Sequence, residues 1–378
     1  MLIASGLLSG FLFGYVLQHG RFCMNTAFRE VLLSRDFTVF RAYILALVVS
    51  IIGANLLDDM GIIHLKDYPF TWVANILGGY LFGIAMVIGG GCASGTLYRV
   101  GEGLIGSWMA ALGFILTATA TLSGFLRPVA EFFWFGPGYN PDDPATAKFM
   151  YMMGDTHVTV YNILGLNRWI VIACIAVPAL FFVSKGKFKK PATQKGFIWW
   201  TTGIMIGLIS VFALYSSEIW GGMKTARGIS FSGPYNELLT WFANSGTTAD
   251  YKAAADAAAK AATAAGNADL ADSISLQGGL AKAGTVTWSM WMLAGVVIGS
   301  LTSALKTKEF GWRSPKAQTL ATQFGGGLLM GFAGTLAGGC NVGHGLTGLT
   351  TLALSSVVSL IFIILGCWTM VYFLFIKE

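Results

Sequence analysis

The chain is 378 residues long, 55% hydrophobic and only 11% charged, with a mean hydropathy of +0.66. A soluble domain carries about 25% charged residues, so this composition excludes a pair of soluble domains and describes a polypeptide that lies mostly in lipid. The net charge of +6 is modest, no aromatic and basic interleaving points to nucleic acid as a partner, and no GxxxxGK[ST] loop offers ATP hydrolysis.

The first apolar stretch, Leu2 to Gln18, has no basic residue ahead of it and no small-residue cleavage site, so it reads as a membrane crossing and not as a secretory signal. Eight further crossings are expected at Val39 to Leu57, Phe70 to Gly90, Leu104 to Phe125, Arg168 to Val183, Phe197 to Tyr215, Val286 to Leu305, Thr319 to Gly338 and Thr351 to Phe375. A helix needs roughly 20 residues to cross about 30 Å of hydrocarbon. Three semi-polar pieces, Cys23 to Ser34, Cys92 to Glu102 and Cys340 to Thr350, are too short to cross and too apolar for ordinary loops. They are expected as re-entrant half-helices. The fold class is all-α, a polytopic membrane bundle of about nine transmembrane helices plus these short pieces.

Lys and Arg concentrate in Arg21 to Arg41, Lys185 to Lys195 and Lys306 to Lys316, whereas Asp58, Asp59, Asp142, Asp143 and Asp155 occupy the intervening loops. The positive-inside rule puts the three basic loops in the cytoplasm. Nine crossings then give a periplasmic N-terminus and a cytoplasmic C-terminus in an inner (plasma) membrane, with lipid as the surrounding partner. A polar insert, residues 216–285, is expected on the periplasmic face. Its Ala-rich part favours a solvated helix near Ala249 to Ala264, with a disordered loop as the alternative, and it is assigned no chemistry.

A shift of 248 residues lays Gly78 to Gly95 over Gly326 to Gly343 with nine of eighteen positions identical, Cys92 against Cys340 among them. A weaker match sets Gly6 and Gly10 against Gly203 and Gly207. Under the topology above the copies cross in opposite senses, and inverted repeats put a substrate site near the midplane, where broken helices meet. The chain divides accordingly into a first repeat half, residues 1–126, a connecting stretch, 127–196, and a second half, 197–378, that carries the insert.

Five cysteines, none in CxxC spacing, match neither a disulfide framework nor a zinc site, and no cofactor is expected. Three stand at predicted helix breaks: Cys23 in GRFCMNTAFRE, Cys92 in GGGCASG and Cys340 in GGCNVGHG. Gly91 and Gly339 let the chain turn its amides toward a ligand, and a fresh half-helix N-terminus binds an anion without a basic side chain. A thiol that stays S–H is a weak donor, which suits an ion that has to leave again. Sulfur also offers polarizable contact to a sulfur-bearing substrate. His344 is a candidate donor or proton relay, with a structural role as the alternative. Arg21, Arg29, Arg99 and Glu102 flank the re-entrant pieces, where topology or anion attraction at the cytoplasmic mouth accounts for them. Cys174 and Cys367, in mid-crossing, are expected as packing residues.

On GRFCMNTAFR, GGGCASGTLYRVGEG and GGCNVGHGLTG taken together, the chain resembles the YeeE/YedE family of bacterial membrane proteins over nearly its full length. The resemblance implies an hourglass-shaped bundle of nine transmembrane and several short helices in pseudo-inverted halves. It also implies an inner-membrane permease that takes up thiosulfate past Cys23, Cys92 and Cys340 by hydrogen bonds and without covalent chemistry. The insert 216–285 and the loop Arg127 to Asn167 are enlarged relative to that pattern. Two other readings remain: transport of another sulfur or selenium compound, and a membrane sulfurtransferase, which needs a thiolate with a base or cation beside it. A dianion entering against 100 mV meets about 4.6 kcal/mol, so uptake needs co-transported protons or consumption by a cytoplasmic sulfur-accepting protein.

Overall fold

The computed structural model describes residues 1–66, 68–135, 158–186, 196–223, 225–243 and 287–377. Among them the chain is helical, and its extended pairing is limited to isolated bridges such as Leu104 with Arg313. In chain order come α1 (Leu2–His19), α2 (Met24–Leu33), α3 (Thr38–Asp59), α4 (Trp72–Ile88), α5 (Ala93–Gly101) and α6 (Ile105–Ser123). The connecting stretch holds α7 (Arg127–Phe135), α8 (Val160–Leu164) and α9 (Arg168–Ser184). The rest is α10 (Trp199–Ile219), α11 (Ser232–Ala243), α12 (Trp288–Thr307), α13 (Ala317–Leu336) and α14 (Leu354–Val371).

Among the described residues, seven stretches are long and apolar enough to cross a membrane: Leu2–Leu33, Thr38–Asp59, Trp72–Gly101, Ile105–Ser123, Trp199–Ile219, Trp288–Thr307 and Leu354–Ile376. The other two expected crossings exist as helices outside that set. α9 has only 17 residues, and α13 has the length but carries Gln318, Thr322 and Gln323. The polar residues stand in its first two turns, next to the basic loop Lys306 to Lys316, where Gln318 and Thr322 are exposed, whereas its second half, from Gly326 to Leu336, is the part buried in the bundle, where α13 packs on α4 and α6.

Outward faces are apolar at helical spacing, as with Trp108, Leu112 and Leu116 on α6 and Ile361 and Leu365 on α14. Lipid is as apolar as leucine, so helices associate through close backbone approach and interhelical hydrogen bonds. Along α1, a Cβ on Gly10 would stand 2.0 Å from the Met292 carbonyl oxygen of α12. Hydroxyl pairs add specificity: Ser9 to Ser216 at 3.0 Å and Ser50 to both Ser210 and Thr350 at 3.1 Å.

Gly78 lies against Ala337 and Gly89 against Gly326, so α4 and α13, which carry the two copies of the repeat, run antiparallel. The described parts of the basic loops gather at one end of the bundle. There His19 packs on Phe197 at 4.3 Å, Arg41 lies over Phe182 at 5.0 Å, and Arg21 pairs with Glu102 at 2.6 Å and with Glu309 at 2.5 Å. At the opposite end Arg168 pairs with Asp58 and Asp59, and His64 with Glu218.

The insert 216–285 departs from the expectation of a wholly external segment. Its residues 225–243 return into the bundle: Ile229 and Phe231 are fully buried, and α11 packs on α6. Pro234 sits in the first turn of α11, where its missing N–H costs nothing, and Phe231 and Tyr235 supply an apolar face that lipid-free packing can bury. The Ala-rich stretch 249–264, Asp142, Asp143, Asp155 and most of Lys185 to Lys195 lie outside the described residues.

The Gly10 contact makes a direct prediction. Gly10→Ala drives a methyl into the α12 backbone and is expected to destabilise the protein by about 1–3 kcal/mol, read as a lower thermal midpoint in detergent.

Candidate functional site

One backbone device recurs at the three helix breaks. Arg21 (φ 49°), Gly90 (φ 73°) and Gly338 (φ 81°) adopt the left-handed conformation, each two residues ahead of a cysteine. That reversal ends the preceding helix and lets the cysteine begin the next. Cys23 is the N-cap of α2 and Cys92 the N-cap of α5, whereas Cys340 leads into a wide π-helical turn at Gly343–Gly348. Glycine takes this conformation freely. Arg21 does not, and its two-carboxylate clamp holds it there.

Breaking a helix within the membrane frees carbonyls that lipid cannot satisfy. Side chains from other elements answer them. The Ala337 carbonyl accepts from Asn75 Nδ2 and from His344 Nε2, each at 2.9 Å, and the Leu336 carbonyl accepts from Trp134 Nε1 at 2.9 Å. In the first half Arg99 Nη1 donates to the Gly90 carbonyl at 2.6 Å.

Cys23, Cys92 and Cys340 are all buried and belong to one core cluster. Cys23 Sγ lies 3.6 Å from Cys92 Sγ, so the first half presents paired thiols. Cys92 Sγ also meets Ser94 Oγ at 3.3 Å and accepts from the Gly95 amide at 3.3 Å. A Cβ on Gly95 would stand 2.5 Å from Cys23 Sγ, so only glycine leaves this space open. The repeat-related Gly343 amide donates to Cys340 Sγ at 3.4 Å. The amides of Phe231, Ser232 and Val342 face the same sulfur, so α11 brings to Cys340 a helix N-terminus where the first half brings a second thiol.

The remaining candidates sort by their partners. Gly91 and Gly339 are expected from the sequence to turn the chain, but the left-handed conformation falls one residue earlier, at Gly90 and Gly338; a Cβ on Gly339 would meet the His344 ring at 3.1 Å. His344 spends both ring nitrogens on protein, Nε2 donating to Ala337 and Nδ1 accepting from Ser356 Oγ at 3.2 Å. It therefore fixes the Cys340 turn. Arg21 is committed to Glu102 and Glu309, and the cation within electrostatic reach of Cys23 is Arg99. Cys174 is exposed, and Cys367 is buried with its thiol 3.9 Å from Asn25 Oδ1.

A cavity of about 150 Å³ leads to the Cys340 turn, lined by Lys66, Asn75, Arg227, Ser230, Ser232 and Gly338 among others. Organic ligands fill larger sites, of about 300–1,000 Å³, so this one suits a small ion with its water. Its wall carries buried oxygens without a hydrogen-bond partner among the described residues, on Asn75, Thr335 and Ser355. Arg227 pairs with Glu237 at 2.7 Å. Burial pushes the Lys66 ammonium down to about 8; Arg227 adds to the shift and Glu237 opposes it.

Sequence reasoning missed Lys66, Arg227, Ser94 and the whole α11 contribution. The signal available for α11 was the run SFSGPYNELLTWF, a helix start with proline in its first turn and aromatics at helical spacing.

Residues 19–369 match the family described as sulphur transport. The chain is 36% identical over 375 residues to the thiosulfate transporter TsuA of Spirochaeta thermophila, covering 99% of each. It is 28% identical over 394 aligned positions to the thiosulfate transporter TsuA of Escherichia coli, covering 100% of this chain and 96% of that one. A shorter match, 30% identical over 115 residues and 30% of this chain, is to the probable transporter YedE of Escherichia coli.

The thiol pair sets a test of this geometry. Mild oxidation is expected to join Cys23 to Cys92, whose sulfurs stand 3.6 Å apart, in an intramolecular disulfide that spares Cys340. Peptide mapping of the non-reduced protein by mass spectrometry reads the outcome.

Proposed function

The chain belongs to the sulphur transport (YeeE/YedE) family, and we propose that it is a permease that carries thiosulfate across the bacterial inner membrane as a sulfur source. The observation that carries this reading is three cysteines buried in one core cluster at three helix breaks, Cys23 and Cys92 in contact and the sulfurs of Cys92 and Cys340 each accepting from a backbone amide. Its full-length relatives are named thiosulfate transporters, which supports a transporter and not a sulfurtransferase.

In this reading the anion collects in the cavity between Lys66 and Arg227, sheds water, and meets Cys340 with the amides of α11. It then crosses to the paired thiols of Cys92 and Cys23 and leaves beside Arg99 toward the end that carries the basic loops. That end faces the cytoplasm by the positive-inside rule, so the N-terminus is periplasmic and the C-terminus cytoplasmic. Thiosulfate moves by exchange of hydrogen bonds, with no bond to sulfur made or broken. The cytoplasmic step that consumes it falls to a sulfur-accepting protein.

Cys92→Ala and Cys340→Ala are expected to abolish growth on thiosulfate as sole sulfur source while the protein still inserts. Normal growth of both variants would sink the relay.

The capture cavity gives a pH dependence. Lys66 is charged below about 8 and neutral above it, while thiosulfate stays a dianion throughout. The KM for uptake is therefore expected to rise several-fold as the outside pH climbs through that value, since loss of one nearby charge weakens the attraction. Lys66→Gln should raise KM at neutral pH and flatten the profile, measured with radiolabelled thiosulfate in vesicles.

A further inference from the structure

Four aromatic rings pack at the centre of the bundle, on three different elements. Phe114 of α6 lies 4.9 Å from Tyr235 of α11, Tyr235 lies 6.5 Å from Phe231, and Phe231 lies 6.2 Å from Phe13 of α1. All four are buried, at 2% exposure or less, in the core cluster that also holds Cys23, Cys92 and Cys340.

Within this collar one atom is out of character. Tyr235 Oη is the single side-chain oxygen of the four rings, and it is buried without a hydrogen-bond partner among the described residues. A buried hydroxyl with no partner is a standing cost to folding, and most tyrosines in such a place find an acceptor. Phenylalanine would pack in the same space at no such cost. The hydroxyl shares one core cluster with the sulfurs of both sites; the segment leading into α11 reaches the Cys340 turn, where Ser230 Oγ and Cys340 Sγ both border Gly343, and Cys340 and Cys92 both lie within its electrostatic reach. In the permease reading, a dianion passing from the Cys340 amides toward Cys92 would meet these phenylalanine rings, where an unpaired charge is most expensive. A phenol O–H is a stronger donor than a thiol.

We propose that Tyr235 Oη is the hydrogen-bond donor that carries the thiosulfate anion across the aromatic collar, from the Cys340 site to the Cys92 and Cys23 pair. The proposal rests on the permease reading. The phenol takes an oxygen of the anion while its terminal sulfur passes between the polarizable thiols. No covalent step is involved, and Tyr235 keeps its proton throughout.

The test uses the purified full chain in proteoliposomes, with radiolabelled thiosulfate uptake measured for wild type and Tyr235→Phe, and with thermal unfolding of both in detergent. Loss of a donor to an ion is expected to lower the maximal uptake rate by about tenfold or more, with KM little changed because capture occurs at Lys66 and Arg227. The thermal midpoint is expected to stay the same or rise, since the unpaired hydroxyl is gone. Uptake at the wild-type rate, or a loss of uptake accompanied by a lower midpoint, overturns the proposal. Wild-type protein that takes up no thiosulfate overturns the permease reading, and the proposal falls with it.

Discussion

A helix cannot be interrupted inside a bilayer unless something other than water satisfies its freed backbone groups. This chain interrupts three, and the rest of the structure is arranged around that constraint. The left-handed residues at 21, 90 and 338 make the breaks. Asn75, Trp134, His344 and Arg99 then take up freed carbonyls from neighbouring elements. With those carbonyls bound, the amides of Gly95 and Gly343 on the far side of two of the breaks point at the sulfurs of Cys92 and Cys340. The residues that look like an active site in isolation, His344 above all, are the braces that make such a site affordable in lipid.

Charge is distributed by the same logic. Two unit charges 4 Å apart attract by about 4 kcal/mol even at an effective dielectric of 20, so a dianion between unpaired arginines in the core would stay there. The charges near the two mouths are already partly neutralised. Arg227 is shared with Glu237 on one side, and Arg21 is divided between Glu102 and Glu309 on the other. In the proposed permease, thiols, amides and one phenol would serve the interval between them. Each would bind weakly, and several weak sites in series are the condition for conduction.

Much of this was legible in the sequence because it is written locally. Hydropathy finds a crossing from its own residues, and glycine beside cysteine marks a break without knowledge of its neighbours. The repeat was legible because the backbone device at Gly90 and Gly338 demands glycine in both copies. Its third instance hid behind Arg21, whose left-handed conformation depends on Glu309, 288 residues away. The pairing of Cys23 with Cys92 was hidden for the same reason, since 69 residues separate the two. Polar composition around α11 reads as solvent-facing, and only the docking of its aromatic face on α6 overturns that. Lys66 gave no signal, because a loop lysine acquires meaning only when Arg227 folds over beside it.

The two halves share a backbone plan but not a chemistry. At Cys92 the neighbour is the thiol of Cys23, while at Cys340 it is the N-terminus of α11. Amides aimed at a point favour the oxygens of an anion, whereas a pair of thiols offers weaker and more polarizable contact. An ion passing from the first environment to the second would exchange a stronger hold for a looser one as it nears the interior. That gradient of grip lowers the barrier to release but supplies no net work. In the proposed permease, accumulation against the membrane potential must therefore come from protons moving with the ion or from its removal on the inner side.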